Sequence, residues 1–326
     1  MGIKYLNSFI KDNCKKSVYQ IPLRNLRNKK IVIDISIYLY KYMSEDALLE
    51  NIYTMISIFR HYNIKPLFVF DGPPPKEKMP LLELRKEAKK NAEKEMSTLK
   101  EEMEHENNKQ VIQEMQEQMD QLKKKCVKIH SRDINKVKQL MDAYGMQYID
   151  APGEADELCA YLVIHNHAYA CMSEDMDMFV YGCPRVLRYF SILRKTSIMY
   201  EFKNMMQELE INANEFRQIC VSSGTDYNTE NIPLYKVLHQ FKKYKIKNND
   251  INMDFFQWII TNTKYLQKST LEELYNIENM FKKIVMDDSM STINFNYNTI
   301  MTEDLQAIMS NEDFIFPAVC LVPLNE

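Results

Sequence analysis

Apolar residues follow two rhythms along this chain. Ile31-Val32-Ile33 and Leu67-Phe68-Val69-Phe70 are unbroken runs, the pattern of strands covered on both faces. Segments 146–149, 169–172, 186–190 and 198–202 also read as strands. Between them, apolar positions recur at helical spacing from Ile37 to Phe59. Ala155, Leu158, Cys159, Leu162 and Val163 give one apolar face to a helix opening near Gly153. After Lys203 the spacing is mostly helical, through Trp258 and Phe281. No internal repeat is present. Strands alternating with helices predict an α/β fold, with a mainly parallel central sheet and helices on both faces.

Two stretches interrupt the alternation. Asp71-Gly72-Pro73-Pro74-Pro75 can continue neither a helix nor a central strand. From Leu81 to Lys128 the chain is built of good helix formers with sparse Met and Leu and without Gly or Pro. The apolar positions there are too thin for a sustained heptad seam, so a solvated helical excursion is expected after the second strand. The expected organisation is a core over 1–230, with the insertion at 76–130, and a helical C-terminal region over 231–326.

Composition narrows the function classes. The 326 residues are 45% hydrophobic, enough for one large domain or two intimate ones. Forty-two basic against 45 acidic side chains leave a net charge of -3, which excludes a uniformly basic protein that coats nucleic acid. Seven cysteines, an odd number with no C-x-x-C pair, read as reduced intracellular thiols rather than a secreted disulfide framework. No apolar run is long enough for a membrane span, and no signal-peptide core opens the chain. Gly2 is followed by Leu6 where a myristoylation motif needs Ser or Thr, so no lipid anchor is expected.

The acids carry the chemistry. Asp34 follows the first strand and Asp71 the second. Glu154 and Asp156 follow the third, and Asp175 and Asp177 the fourth; Asp226 follows an apolar stretch in SSGTDYN. Ligands of open α/β sheets bind off the carboxyl ends of the strands, so these acids are aimed at one edge. Any one of them alone could be a helix cap. Crowded together, they stay ionised only if cations neutralise them. An all-oxygen set suits Mg²⁺ or Mn²⁺, and the scarcity of His and Cys beside it argues against zinc. Glu154 and Asp156, two apart, converge only if Glu154 precedes the regular helix, which Pro152-Gly153 favours.

These stretches together resemble the flap endonucleases, structure-specific 5′ nucleases of the PIN-like fold. MGIKYLN is similar to the family's N-terminus, where Gly2 lies beside the active site. IVIDISIYLY, KPLFVFDGPPP, APGEADELCAYLV, SEDMDMFVYG and SSGTDYN resemble its acid motifs, covering residues 1 to about 227. The resemblance implies Asp34, Asp71, Glu154, Asp156, Asp175, Asp177 and Asp226 as ligands of two Mg²⁺ ions, with Mn²⁺ able to substitute. The family usually has Glu where this chain has Asp156; the shorter side chain would reach its metal through a water. Lys78 and Arg85 correspond to basic residues that reach the scissile phosphate, and Tyr40 to an aromatic that stacks on a terminal base. The insertion would be the gateway and arch through which a free 5′ strand threads, cationic at 78–90 and again at 123–128.

The resemblance weakens after Asp226. The family carries a glycine-rich hairpin there that grips duplex phosphates; this chain has NTENIPLYKVLHQFKKYKIK, with no glycine after Gly224. Lys236, Lys242 and Lys243, with Lys245 and Lys247, would substitute electrostatically, giving a salt-sensitive hold on duplex DNA. No sliding-clamp peptide is recognisable. The expected partner is DNA with 5′ flaps, nicks, gaps or ends, alongside replication or repair proteins, with the chain acting as a monomer. The Lys/Asn/Ile/Tyr-rich composition points to an AT-rich genome, such as that of a protist or a large DNA virus. The expected location is therefore the nucleus or, for a viral protein, the host cytoplasm. Two alternatives stay open: an RNA endonuclease on the same fold, since only groove contacts see the 2′-OH, and a non-catalytic scaffold recruiting partners through the long insertion.

Overall fold

A computed structural model describes residues 3–105, 109–228, 232–247, 253–266, 269–282, 293–312 and 314. Gly2 therefore lies outside the described residues. Among the described residues seven strands form one sheet: β1 (Val18–Pro22), β2 (Lys30–Asp34), β3 (Lys65–Phe70), β4 (Gln147–Asp150), β5 (Ala170–Met172), β6 (Arg185–Ser191) and β7 (Thr196–Glu201). Their order is β1-β7-β6-β5-β2-β3-β4. From β6 to β4 every pairing is parallel, and β7 and β1 add antiparallel strands at the other edge. The mainly parallel sheet is as the apolar runs predict. β1 was not foreseen, because Tyr19 and Gln20 are exposed on an edge strand that carries no continuous apolar run.

Period-two alternation divides the sheet's side chains between two cores. Val32, Leu67, Val69, Cys171 and Val186 pack on one face; Ile31, Ile33, Phe68, Phe70, Met172 and Leu187 pack on the other. Helices Leu6–Asn13, Ala155–Ile164, Phe202–Leu209 and Ala213–Ser223 cover the first. The apolar residues of Leu234–Lys247, Phe255–Asn262 and Leu271–Lys282 join that same core. Ser36–Ser44, Leu48–His61, Ser131–Ala143 and Thr302–Ser310 cover the second face. The helical rhythm from Ile37 to Phe59 resolves into two helices, broken at Glu45-Asp46-Ala47, where Asp46 takes a left-handed φ of 52°.

Among the described residues the insertion holds two helices, Met79–His105 and Lys109–Cys126. Buried Ala92, Leu99 and Leu122, with Met96, Met115, Met119 and Cys126 packed against them, form a small core of their own. The sparse apolar positions thus face each other across a helical pair instead of a long coiled-coil seam.

Candidate metal centre and nucleic-acid interface

The parallel register puts the carboxyl ends of β4, β3, β2 and β5 side by side, and each delivers acids there. Asp34 ends β2 and is buried. Its Oδ2 accepts from the Ser173 hydroxyl at 2.9 Å and its Oδ1 from the Ser36 backbone N–H at 3.1 Å. Asp71 follows β3, and its Oδ1 accepts from the Ala155 N–H at 2.9 Å, where the dipole of the helix beginning there favours negative charge. Gly72 makes this approach possible: its N–H donates to the Gly153 carbonyl at 2.7 Å. A Cβ at Gly72 would meet the Ala151 carbonyl oxygen at 2.1 Å, so the Asp-Gly pair is a steric requirement.

Glu154 is extended and precedes the helix Ala155–Ile164, whose first turn holds Asp156. The side chains two apart therefore escape mid-helix geometry, as the Pro152-Gly153 pair predicts. Asp175 and Asp177 are buried at the start of the helix Asp177–Tyr181. The Asp177 N–H donates to Asp175 Oδ1 at 3.0 Å, and Asp177 Oδ1 is buried without a hydrogen-bond partner among the described residues.

Crowding shows in the protonation balance. Burial first, then the Asp71 and Asp175 carboxylates, push Asp34 up to about 7 against the hydroxyl of Ser173 and the N–H of Ser36. Burial, followed by repulsion from Asp175, holds both Asp156 and Asp177 well above the usual carboxylate range. Asp175 is raised by burial and by Asp226, and its bond from Asp177 opposes that shift.

Lys78 and Arg85 reach into this pocket from the base of the insertion. Lys78 Nζ bonds Glu154 Oε1 and stands 3.9 Å from Asp226. Arg85 pairs with Asp226 at 2.8 Å. Burial opposes the Lys78 charge, but Glu154, Asp156 and Asp226 outweigh it and raise the ammonium above its ordinary value. The two bases act as internal counter-ions to the acids. Among the described residues, no group of three or more His, Cys, Asp or Glu side chains is spaced to hold a metal ion as it stands. The donor set still fits a hard divalent cation: every donor is a carboxylate oxygen, burial and mutual repulsion hold several of them above the usual carboxylate range, and Asp177 Oδ1 has no partner among the described residues.

Sequence reasoning missed three positioning groups. Tyr227 donates its hydroxyl to Glu154 Oε2 at 2.6 Å, Ser36 donates to Asp71, and Ser173 donates to Asp34. Each lies within two residues of an acid, in the very motifs that carry the resemblance. Tyr40 is 52% exposed on the helix Ser36–Ser44, free of the core packing it could have had. Lys236, Lys242 and Lys243 are exposed on Leu234–Lys247. Residues 229–231, in the stretch where the family has its hairpin, lie outside the described residues. The basic patch at 123–128 is partly neutralised, with Lys123 paired to Asp46 and Lys128 to Glu93.

Acids gathered at the carboxyl ends of a parallel sheet, on this topology, define a PIN-like nuclease fold. The catalytic core of Rad2 in complex with DNA substrate superposes with a TM-score of 0.63 at 18% identity, over 94% of this chain and 93% of that one. Residues 1–92 match the XPG N-terminal domain and residues 145–226 the XPG I-region. Flap endonuclease 1 of Meyerozyma guilliermondii is 33% identical over 247 residues, 70% of this chain and 63% of that protein. Flap endonuclease 1 of Candida dubliniensis is 31% identical over 287 residues, 81% of this chain and 73% of that protein. This chain belongs to the flap endonuclease family. It spans somewhat less than two thirds of the first of these relatives.

Proposed function

We propose that the chain is a Mg²⁺-dependent, structure-specific 5′ flap endonuclease and 5′→3′ exonuclease that hydrolyses DNA phosphodiesters in replication, repair or recombination. One observation carries the reading: acids from four strand ends and from Asp226 share a pocket that also holds Lys78 and Arg85. Asp34, Asp71, Glu154, Asp156, Asp175, Asp177 and Asp226 would hold the two Mg²⁺ ions, or Mn²⁺ in their place. When bound, a metal pair supplies an activated water and a stabilised leaving oxygen.

The chain's own groups do the rest. The hydroxyls of Ser36, Ser173 and Tyr227 fix the rotamers of Asp71, Asp34 and Glu154. Lys78 and Arg85, once the acids have another counter-charge, turn to the phosphoryl oxygens of the scissile group, where Arg85 offers a two-pronged grip. Exposed Tyr40 offers a stacking face to a terminal base. Lys236, Lys242 and Lys243 hold duplex phosphates, and the helical insertion borders the path of the free 5′ strand.

Among the described residues no helix is long and apolar enough to cross a membrane. The proposed workplace is wherever the DNA is, in the nucleus or, for a viral protein, the host cytoplasm. A purely scaffolding role fits poorly with acids at all seven ligand positions.

The test is cleavage of labelled flap, nicked, gapped and blunt DNA, with matched RNA flaps, in Mg²⁺, Mn²⁺ or EDTA. Asp175→Ala and Asp177→Ala are expected to abolish cleavage while the chain stays folded and binds DNA. Arg85→Ala is expected to slow turnover about 10²–10³-fold, with a smaller change in affinity. Undiminished turnover in either aspartate variant would end the reading, and preferential cleavage of the RNA flap would move it to RNA.

A further inference from the structure

The loop that carries Asp175 and Asp177 is fastened by a side chain to which neither the acid pattern nor the family resemblance gives a role. Arg188 lies on β6 and is 5% exposed, a burial that an arginine rarely adopts unless it is paired. Its Nη2 donates to the Glu174 backbone carbonyl at 2.7 Å and stands 3.5 Å from Glu174 Oε2. Nη1 lies 2.7 Å from the Met176 sulfur and donates to Asn7 Oδ1 at 2.8 Å. One guanidinium therefore holds the residue before Asp175, the residue between Asp175 and Asp177, and the helix Leu6–Asn13.

The surroundings over-determine that placement. Beyond Arg188 the β6–β7 register shifts, and Tyr189 adopts a left-handed φ of 56°. Such a conformation is costly for a bulky residue and persists only where neighbours enforce it. A bulge re-aims side chains, and bulges cluster beside active sites. Here the Tyr189 N–H donates to Glu174 Oε1, so backbone and side chain of adjacent residues grip one glutamate. Asn7 completes the circuit: its Oδ1 also accepts from the Tyr200 hydroxyl at 2.9 Å, and its Nδ2 donates to the Tyr189 hydroxyl at 2.7 Å.

We propose that Arg188 is a positioning residue for the acid pocket, locking the 173–177 loop to the N-terminal helix through Glu174, Met176 and Asn7. The role rests on the metal-centre reading above. Arg188 touches no reacting group; it sets where Asp175 and Asp177 stand when a cation arrives.

The experiment compares Mn²⁺ binding by the full-length wild-type, Arg188→Lys and Asn7→Ala chains, using electron paramagnetic resonance with Mn²⁺ alone as the probe. Thermal melts establish that each variant is folded. Arg188→Lys keeps the charge and loses the fork, and its Mn²⁺ affinity is expected to fall about tenfold or more. Asn7→Ala, at a half-buried helical position, is expected to fall less and in the same direction. Combined with Arg188→Lys it should add little, because both act through one network. Should Arg188→Lys be unfolded, the drop in Asn7→Ala decides alone. Wild-type affinity in the folded variants, or fully additive losses, would overturn the role of Arg188 and leave the nuclease reading standing. A wild-type chain that binds no Mn²⁺ would overturn both together.

Discussion

At Asp34, burial and the neighbouring Asp71 keep the carboxyl protonated up to about 7. In the unfolded chain an aspartate gives up its proton near about 3.9. Between those values the folded state binds more protons, so the contribution of Asp34 to stability is full below about 4 and is lost as pH rises through about 7. The melting temperature of the metal-free chain is expected to show this loss over that window, and Asp34→Asn to flatten it. Mg²⁺ added at neutral pH should restore stability by mass action, because a cation that binds only the folded pocket favours it. Scanning calorimetry across pH, with and without Mg²⁺, reads both effects. A wild-type profile matching that of Asp34→Asn would mean that Asp34 is already ionised in the fold.

Single residues were legible to unequal degrees. Every acid could be read from its place after an apolar run, because a parallel sheet offers its carboxyl ends to ligands. Arg188 could not, since on the sequence it is one polar residue inside a strand, and its partners Asn7, Glu174 and Met176 meet it only in the folded chain.

At the scale of elements, the insertion depends on very few contacts. Its helices Met79–His105 and Lys109–Cys126 bury Ala92, Leu99 and Leu122 against each other, with methionines around them. Lys78 and Arg85 tie its base to the pocket. Leu122→Ala is expected to loosen the pair by about 2 kcal/mol, the low end for a core leucine, because this small core is open to solvent at its rim. Amide exchange across 79–126 should then quicken by more than tenfold while β2, β3 and β5 keep their protection. Equal quickening in the sheet would show that the insertion and core unfold as one unit.

The helical character of the insertion was readable from propensity alone, but its folding back into a pair was not. Sparse apolar positions leave the partner undefined until three-dimensional packing supplies one. The edge strand β1 was hidden for a related reason: exposed Tyr19 and Gln20 give no apolar run, and its place comes from backbone pairing with β7.

Across the whole molecule, charge is segregated. The pocket concentrates acids at the end of the sheet, while the exposed lysines of Leu234–Lys247 lie on a helix of the first core. If those lysines hold phosphates, duplex affinity falls linearly with salt on logarithmic axes. Replacing both Lys242 and Lys243 with alanine is then expected to lower the slope by about 2. Fluorescence anisotropy with labelled duplex across a salt series reads it, and an unchanged slope would place the duplex elsewhere.

From the sequence alone came the sheet, its two covered faces, and the family of acids at its edge, because alternation, burial and charge are local properties of a chain. The third dimension alone decided how those acids are balanced. Lys78 and Arg85 stand on Glu154 and Asp226, the hydroxyls of Ser36, Ser173 and Tyr227 orient their neighbours, and Arg188 ties the acid loop to the N-terminal helix. These pairings join residues up to 181 positions apart. Their energy exists only when folding removes water from between them, so no local pattern could have announced them.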